Sequence, residues 1–164
     1  MLLGVVSDTH DNQDVIAAAV ELFAGEVDAV IHCGDIVAPF SASQFNEDFD
    51  FYAVRGNNDG EWALQDAVRP FGSYLGEMGE LSLGGKRIAA YHGTSQPIVD
   101  ALVDSGTYDY VFHGHTHARV HEEADNGTVR INPGGIGTGP DETQPPAGVI
   151  VDTDTGEVTF HDLR

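Results

Sequence analysis

Five short polar clusters constrain this chain more than any other feature: Asp8-Thr9-His10, Gly34-Asp35, Gly56-Asn57-Asn58-Asp59, His92-Gly93 and Gly114-His115-Thr116-His117. Each stands where a β-branched or aromatic apolar run has just ended, and such runs read as buried strands. A doubly wound α/β sheet gathers the carboxyl ends of its strands along one edge. Asp, Asn and His are the side chains that ligate borderline and hard divalent ions. The pattern therefore predicts an α/β fold with one metal centre assembled from strand ends.

The segments between the clusters fit that reading. Leu2 to Val6 is a strand, Asp11-Asn12 offers N-cap oxygens, and Val15, Ala18, Ala19, Leu22 and Phe23 share one helical face that Gly25 closes. Ala29-Val30-Ile31 is the next strand, Ser41 to Phe45 a short helix, and Phe51 to Val54 a third strand, which completes a β-α-β-α-β opening. Residues 60 to 83 carry no clean period: Gly72, Gly76 and Gly79 interrupt it, and Pro70 ends whatever helix Trp62 to Val68 forms. Ile88 to Tyr91 is a strand delivering His92, Pro97 opens a helix through Val103 that Gly106 terminates, and Tyr110-Val111-Phe112 delivers the last histidine pair. The remainder is antiparallel in character. Val120 to His121, Val129 to Ile131, Val149 to Val151 and Val158 to Phe160 are short strands, with hairpin signals at Asn126-Gly127 and Thr155-Gly156 and a Gly/Pro-rich loop from Asn132 to Pro146. No repeat or linker divides the chain, so residues 1–164 read as a single domain.

Charge narrows the surroundings. Asp and Glu number 27 against seven Lys and Arg, for a formal net charge of −20. The acids are dispersed and 41% of residues are hydrophobic, which favours a folded acidic surface over a disordered tail. Such a surface self-repels unless salt screens it, and the Debye length is about 3 Å at 1 M, so we expect a halophilic host. Long nucleic acid is disfavoured as a partner. No apolar stretch approaches the roughly 20 residues of a membrane span, no signal peptide is recognisable, and Cys33 has no cysteine to pair with, all of which points to the cytoplasm. Oligomeric state is left open, a homo-oligomer included.

Asp8 and His10, two apart at a strand end, can face one ion, and Asp35 adds a carboxylate able to bridge two cations. Asn57 supplies a carbonyl oxygen, His92 an imidazole, and His115 with His117 a further alternating pair. Seven ligands exceed what one tetrahedral zinc accepts, whereas two ions about 3.5 to 4 Å apart sharing Asp35 fit two-metal phosphoester hydrolysis. A bound water acidified to a pKa of about 7 then serves as hydroxide, without a protein nucleophile. Mixed O/N ligation suits manganese first, with iron, zinc, nickel or cobalt as alternatives.

These motifs, in this order, resemble the calcineurin-like metallophosphoesterase superfamily in its small YfcE-type phosphodiesterase branch, from Val5 to about Gly135. The resemblance implies two packed β-sheets flanked by helices, a four-layer α/β/β/α sandwich with a dinuclear site. It implies one ion held by Asp8, His10, Asp35 and His117, and the other by Asp35, Asn57, His92 and His115. Ile131-Asn132-Pro133-Gly134-Gly135 is similar to the branch's Asn-Pro-Gly-Ser segment, with Gly135 in place of the serine. Many superfamily members carry a histidine where this chain has Asn58, which is thus the expected catalytic position; an amide can donate a hydrogen bond but cannot deliver a proton. The implied activity is hydrolysis of small phosphodiesters. The alternatives are a phosphomonoesterase and, because a protein-trafficking relative works mainly as an interaction platform, a scaffold with little turnover. Asp59 is expected to orient its loop, His32 and His113 to support the ligands from behind, and Arg55 or Arg119 either to touch a substrate phosphate or to be solvated.

Overall fold

The computed structural model describes residues 1–136 and 144–163, so positions 137–143 of the expected Gly/Pro-rich loop lie outside the described residues. The elements run β1 (Leu2–Val6), α1 (Gln13–Phe23), β2 (Ala29–His32), α2 (Pro39–Ala42), β3 (Asp50–Ala53), α3 (Glu61–Val68), β4 (Gly72–Tyr74), β5 (Met78–Leu83), β6 (Lys86–Tyr91), α4 (Gln96–Asp104), β7 (Tyr110–Phe112), β8 (Val120–Glu123), β9 (Val129–Asn132), β10 (Ala147–Asp152) and β11 (Val158–Asp162). They form a six-stranded sheet of order β11-β10-β1-β2-β3-β4 and a five-stranded sheet of order β5-β6-β7-β9-β8. Among the described residues, no helix is long and apolar enough to cross a membrane.

Period-two alternation sorts the strand residues into layers. Leu3, Val5, Ala29, Ile31 and Val54 of the first sheet meet Ile88, Ala90, Tyr110, Phe112 and Ile131 of the second in one apolar cluster between the sheets. The intervening Val6, Val30, Phe51 and Ala53 face the other way, onto Ile16, Ala19 and Phe23 of α1 and Leu64 and Val68 of α3. On the outer side of the second sheet, α4 contacts β7 and buries Val99. The result is the expected helix, sheet, sheet, helix sandwich.

Local chemistry explains the element ends. Asn12 caps α1, its side-chain oxygen accepting from the amides of Asp14 and Val15, and Gly25 follows the helix with φ +73°. Helix α1 can lie close to the sheet because β1 and β10 present glycines beneath it: a Cβ on Gly4 would come within 2.8 Å of the Phe23 ring. The short helix expected at Ser41 to Phe45 starts earlier, with Pro39 in its first turn, and tightens to a 3-10 turn over Ser43–Phe45. Strands β1, β2 and β3 run parallel, as do β6 and β7, so both sheets deliver their polar clusters to one edge.

Candidate metal centre

The loops after β1 and β2 are zipped together by backbone bonds. Asp8 N–H donates to Gly34 O at 3.0 Å, His10 N–H to Asp35 O at 3.0 Å and Asp11 N–H to Ile36 O at 3.2 Å. The second sheet is tied in by Gly114 N–H donating to His92 O at 2.8 Å and by His115 N–H donating to Asp8 Oδ2 at 2.9 Å. Glycine is required where these loops touch: a Cβ on Gly56 would lie 2.1 Å from Asp35 Oδ1, and one on Gly114 would lie 2.4 Å from Asp8 Oδ2. Left-handed backbone is concentrated here. Asp8, His10, Asp35, His115 and His117 have φ between 44° and 68°, and among the described residues the other non-glycine cases are Asp11 and Val37, on the same loops.

The seven expected ligands are brought together as two histidine groups flanking two carboxylates. His10 Nε2 and His117 Nε2 face each other at 3.3 Å, and Asp8 Oδ1 lies 3.8 Å from the first and 3.3 Å from the second. On the other side, His92 Nε2 and His115 Nδ1 approach Asn57 Oδ1 at 3.1 and 3.0 Å. Asp35 Oδ2 stands between the groups, 3.6 Å from His10 Nε2 and 3.4 Å from His92 Nε2. Asp8 Oδ1 also reaches His92 Nε2, at 3.9 Å, so two compact donor sets, Asp8-His10-His117 and Asp8-Asp35-His92, share Asp8. Both carboxylates therefore stand between the two groups. Residues His10, Asp35, Asn57, Asn58, His115 and His117 open with Ile136 onto a cavity of about 380 Å³.

The donor set fits divalent cations. Asp8 Oδ1 is buried, with no hydrogen-bond partner among the described residues, which is costly for a carboxylate unless a cation meets it. Burial pushes the Asp8 carboxyl up, but His117, His92 and the Ser7 hydroxyl hold it below its ordinary range; Asp35, pushed up by burial, is pulled far down by His92 and the Asn58 amides. His92 is raised, the carboxylates outweighing its burial, and His117 is raised by Asp8. Ionised carboxylates bind a divalent ion directly, and an imidazole that carries a second proton releases it on ligation, so metal binding here is coupled to pH. His92 is further prepared: its Nδ1–H donates to the Cys33 carbonyl at 2.7 Å, which leaves the Nε2 lone pair for the centre.

The supporting residues fall into place with some surprises. Asp59 accepts from the amides of Asp35, Gly56 and Val37 and so fixes the loops that bear Asp35 and Asn57. His32 accepts from Gly34 N–H on Nδ1 and donates from Nε2 to Thr9; His113 accepts from Arg130 and donates to the Gly114 carbonyl. Burial lowers these two imidazoles to about 3 and about 4, so both are neutral. Asn58 gives both its backbone N–H and its side-chain amide to Asp35, each at 2.8 Å. Arg119 turns away to Asp162 and the Pro145 carbonyl, and Arg55 pairs with Glu77. Sequence reasoning missed Ser7, Arg130 and Ile136; the adjacency of Ser7 to Asp8 was the one available signal.

Comparison with known proteins agrees with this geometry. A family model for the calcineurin-like phosphoesterase superfamily domain matches residues 1–156. The chain is 38% identical over 139 residues to a phosphodiesterase of Methanocaldococcus jannaschii, covering 82% of this chain and 83% of that relative. A solved archaeal phosphodiesterase matches with a TM-score of 0.89 at 34% identity, over 98% of this chain and 99% of the other. At the level of the fold alone, the Escherichia coli phosphoesterase YfcE matches with a TM-score of 0.69 at 19% identity over the full length of both chains. Vps29 from Entamoeba histolytica, solved with zinc, matches with 0.72 at 19% identity over 98% of this chain and 90% of its own. This chain belongs to the calcineurin-like phosphoesterase superfamily.

Proposed function

We propose that this phosphoesterase is a metal-dependent phosphodiesterase that hydrolyses small phosphodiesters at a dinuclear centre. The observation that carries the reading is the unsatisfied Asp8 Oδ1, buried between two histidine groups behind the residues that line the cavity. Asp8, His10, Asp35 and His117 would hold one ion, and Asp35, Asn57, His92 and His115 the other. When bound, divalent ions supply Lewis acidity to the phosphoryl oxygens and an acidified water as nucleophile, with manganese the expected metal.

The chain's own residues then account for selectivity. Among the described residues lining the cavity there is no Lys or Arg to match the second negative charge of a monoester dianion, while a diester carries one charge fewer. Ile136 offers an apolar wall to an organic substituent. Asn58 spends its amide on Asp35 and has no proton to deliver, so the rate is expected to fall steeply as the leaving-group pKa rises. A net charge of −20 repels long polyanions and favours operation in concentrated salt, in keeping with a cytoplasmic enzyme of a halophile.

The test is a metal-by-substrate panel in molar salt that compares bis-aryl with mono-aryl phosphates for wild type and Asp35→Asn. Diester turnover with manganese that Asp35→Asn loses is the expected result. Faster monoester turnover would make the protein a phosphomonoesterase. Equal inertness of both proteins with every metal would leave an interaction scaffold.

A further inference from the structure

The loop carrying His115 and His117 is not held by its own strand alone. Asn132, fully buried at the end of β9, donates through Nδ2 to the Gly114 carbonyl and to Thr116 Oγ1, both at 3.0 Å, and accepts from Gly134 N–H through Oδ1 at 2.9 Å. Gly114 and Thr116 alternate with the two histidines, so one amide grips the loop on both sides of His115. The Gly114 carbonyl also receives Thr116 N–H at 2.8 Å and His113 Nδ1–H at 3.2 Å, which makes it the point where the loop is pinned.

The Oδ1 bond reaches a different part of the centre. It fixes Gly134, whose φ is +79°, and so directs the chain across Asp8, where Ile136 N–H donates to Asp8 O at 3.1 Å. A Cβ on Gly135 would lie 2.3 Å from Asp8 Cβ, so the segment passes in direct contact with that residue. Asn132 therefore joins the loop bearing His115 and His117 to the segment that closes over Asp8. Because side chains two apart share a strand face, Arg130 stands on the same side of β9 and braces His113.

We propose that Asn132 is a positioning residue that sets the distance between Asp8 and the His115/His117 pair, and thereby the affinity of the centre for divalent cations. This rests on the metal-centre reading above. A substitution that removes the clamp leaves every candidate ligand in place but lets two of them, His115 and His117, relax from the left-handed backbone they now occupy. Loss of such outer support typically lowers metal affinity by about 10- to 100-fold.

The experiment is calorimetric titration of Mn2+ into the metal-free full chain: wild type, Asn132→Ala, Thr116→Val and the control Thr128→Val. Thr128 is buried and donates to the Tyr108 carbonyl, away from the centre, so its loss tests general destabilisation. Asn132→Ala is expected to bind Mn2+ about 10- to 100-fold more weakly, and Thr116→Val, which keeps the Gly114 bond, less than about tenfold more weakly. The control is expected to melt lower with unchanged affinity. Wild-type affinity in both Asn132→Ala and Thr116→Val would overturn the proposal and leave Asn132 a purely structural residue. If Asn132→Ala does not fold, Thr116→Val decides alone, and unchanged affinity there overturns it. A wild-type chain that binds no Mn2+ would instead overturn the metal-centre reading itself.

Discussion

The two halves of the candidate centre are built to different standards of rigidity. His92 is about 1% exposed and its ring is locked by the Cys33 carbonyl, whereas His10 and His117 are about one-quarter exposed and face each other across the cavity wall. In the first half the His92 ring is set before any ion arrives, although its companions Asn57 and His115 are exposed and half-buried. The second depends on loop geometry and opens to solvent. Preorganised ligands lose little freedom on binding, so the His92 half should hold its cation more tightly and the His10/His117 half should exchange it more readily.

The largest effect should come from erasing what the halves share. Asp35→Asn removes one of the two carboxylates that stand between them and is expected to lower kcat by roughly 10³-fold or more, measured on a bis-aryl phosphate at saturating metal. Next are His92→Asn and His10→Asn, each expected to cost about 10²-fold at limiting metal. Excess metal should restore much of the His10→Asn activity and little of the His92→Asn activity. Equal rescue of both would remove the proposed asymmetry.

Acid titration contrasts the ligands with their supports. His92 and His117 have raised pKa values, so in the metal-free protein they add stability below about pH 6.5 that is lost as pH rises through their folded values. His32 and His113 have the opposite sign: the unfolded chain takes up protons near pH 6.5 while these rings resist until about 3 and about 4, so their contribution is full above pH 6.5 and is lost as pH falls. Each can contribute a slope of up to about 1.4 kcal/mol per pH unit. In urea titrations with chelator between pH 7 and 5, His32→Asn should lose less stability on acidification than wild type; a parallel loss would refute the assignment. The smallest effect is at Val37, a β-branched residue with φ 85°. Val37→Gly should stabilise by about 1 kcal/mol, read as a rise in melting temperature; an unchanged or lower one would show that the bend stores no strain.

How much of this was legible beforehand depended on whether local pattern and tertiary demand agreed. At β1, α1 and β2 they agree, since buried runs and a capped helical face say the same thing. Between residues 60 and 83 they conflict. Gly72 interrupts the pattern because its backbone lies against Phe51, where a Cβ would come within 2.6 Å of the carbonyl, and Gly79 is similarly crowded by Leu75, so β4 and β5 were hidden by residues that sheet packing requires. In the site, residue type and strand-end position foretold which side chains converge. They could not foretell that Asp8 also reaches across to His92, that Asn58 is engaged with Asp35, or that Arg119 is drawn to Asp162, because those depend on loop paths with no periodicity to read.

The left-handed residues of the centre carry a final implication for mutagenesis. Asp, Asn and His are the non-glycine residues most at ease with positive φ, and they are also good donors to divalent ions. At Asp8, His10, Asp35, His115 and His117 one short alphabet answers two demands at once. Alanine at any of them would therefore confound two losses, a missing donor and a backbone forced into an unwelcome basin. Asparagine preserves the bend and changes only the donor, while glycine preserves the bend and deletes it, so that pair of substitutions separates what the ion requires from what the chain requires.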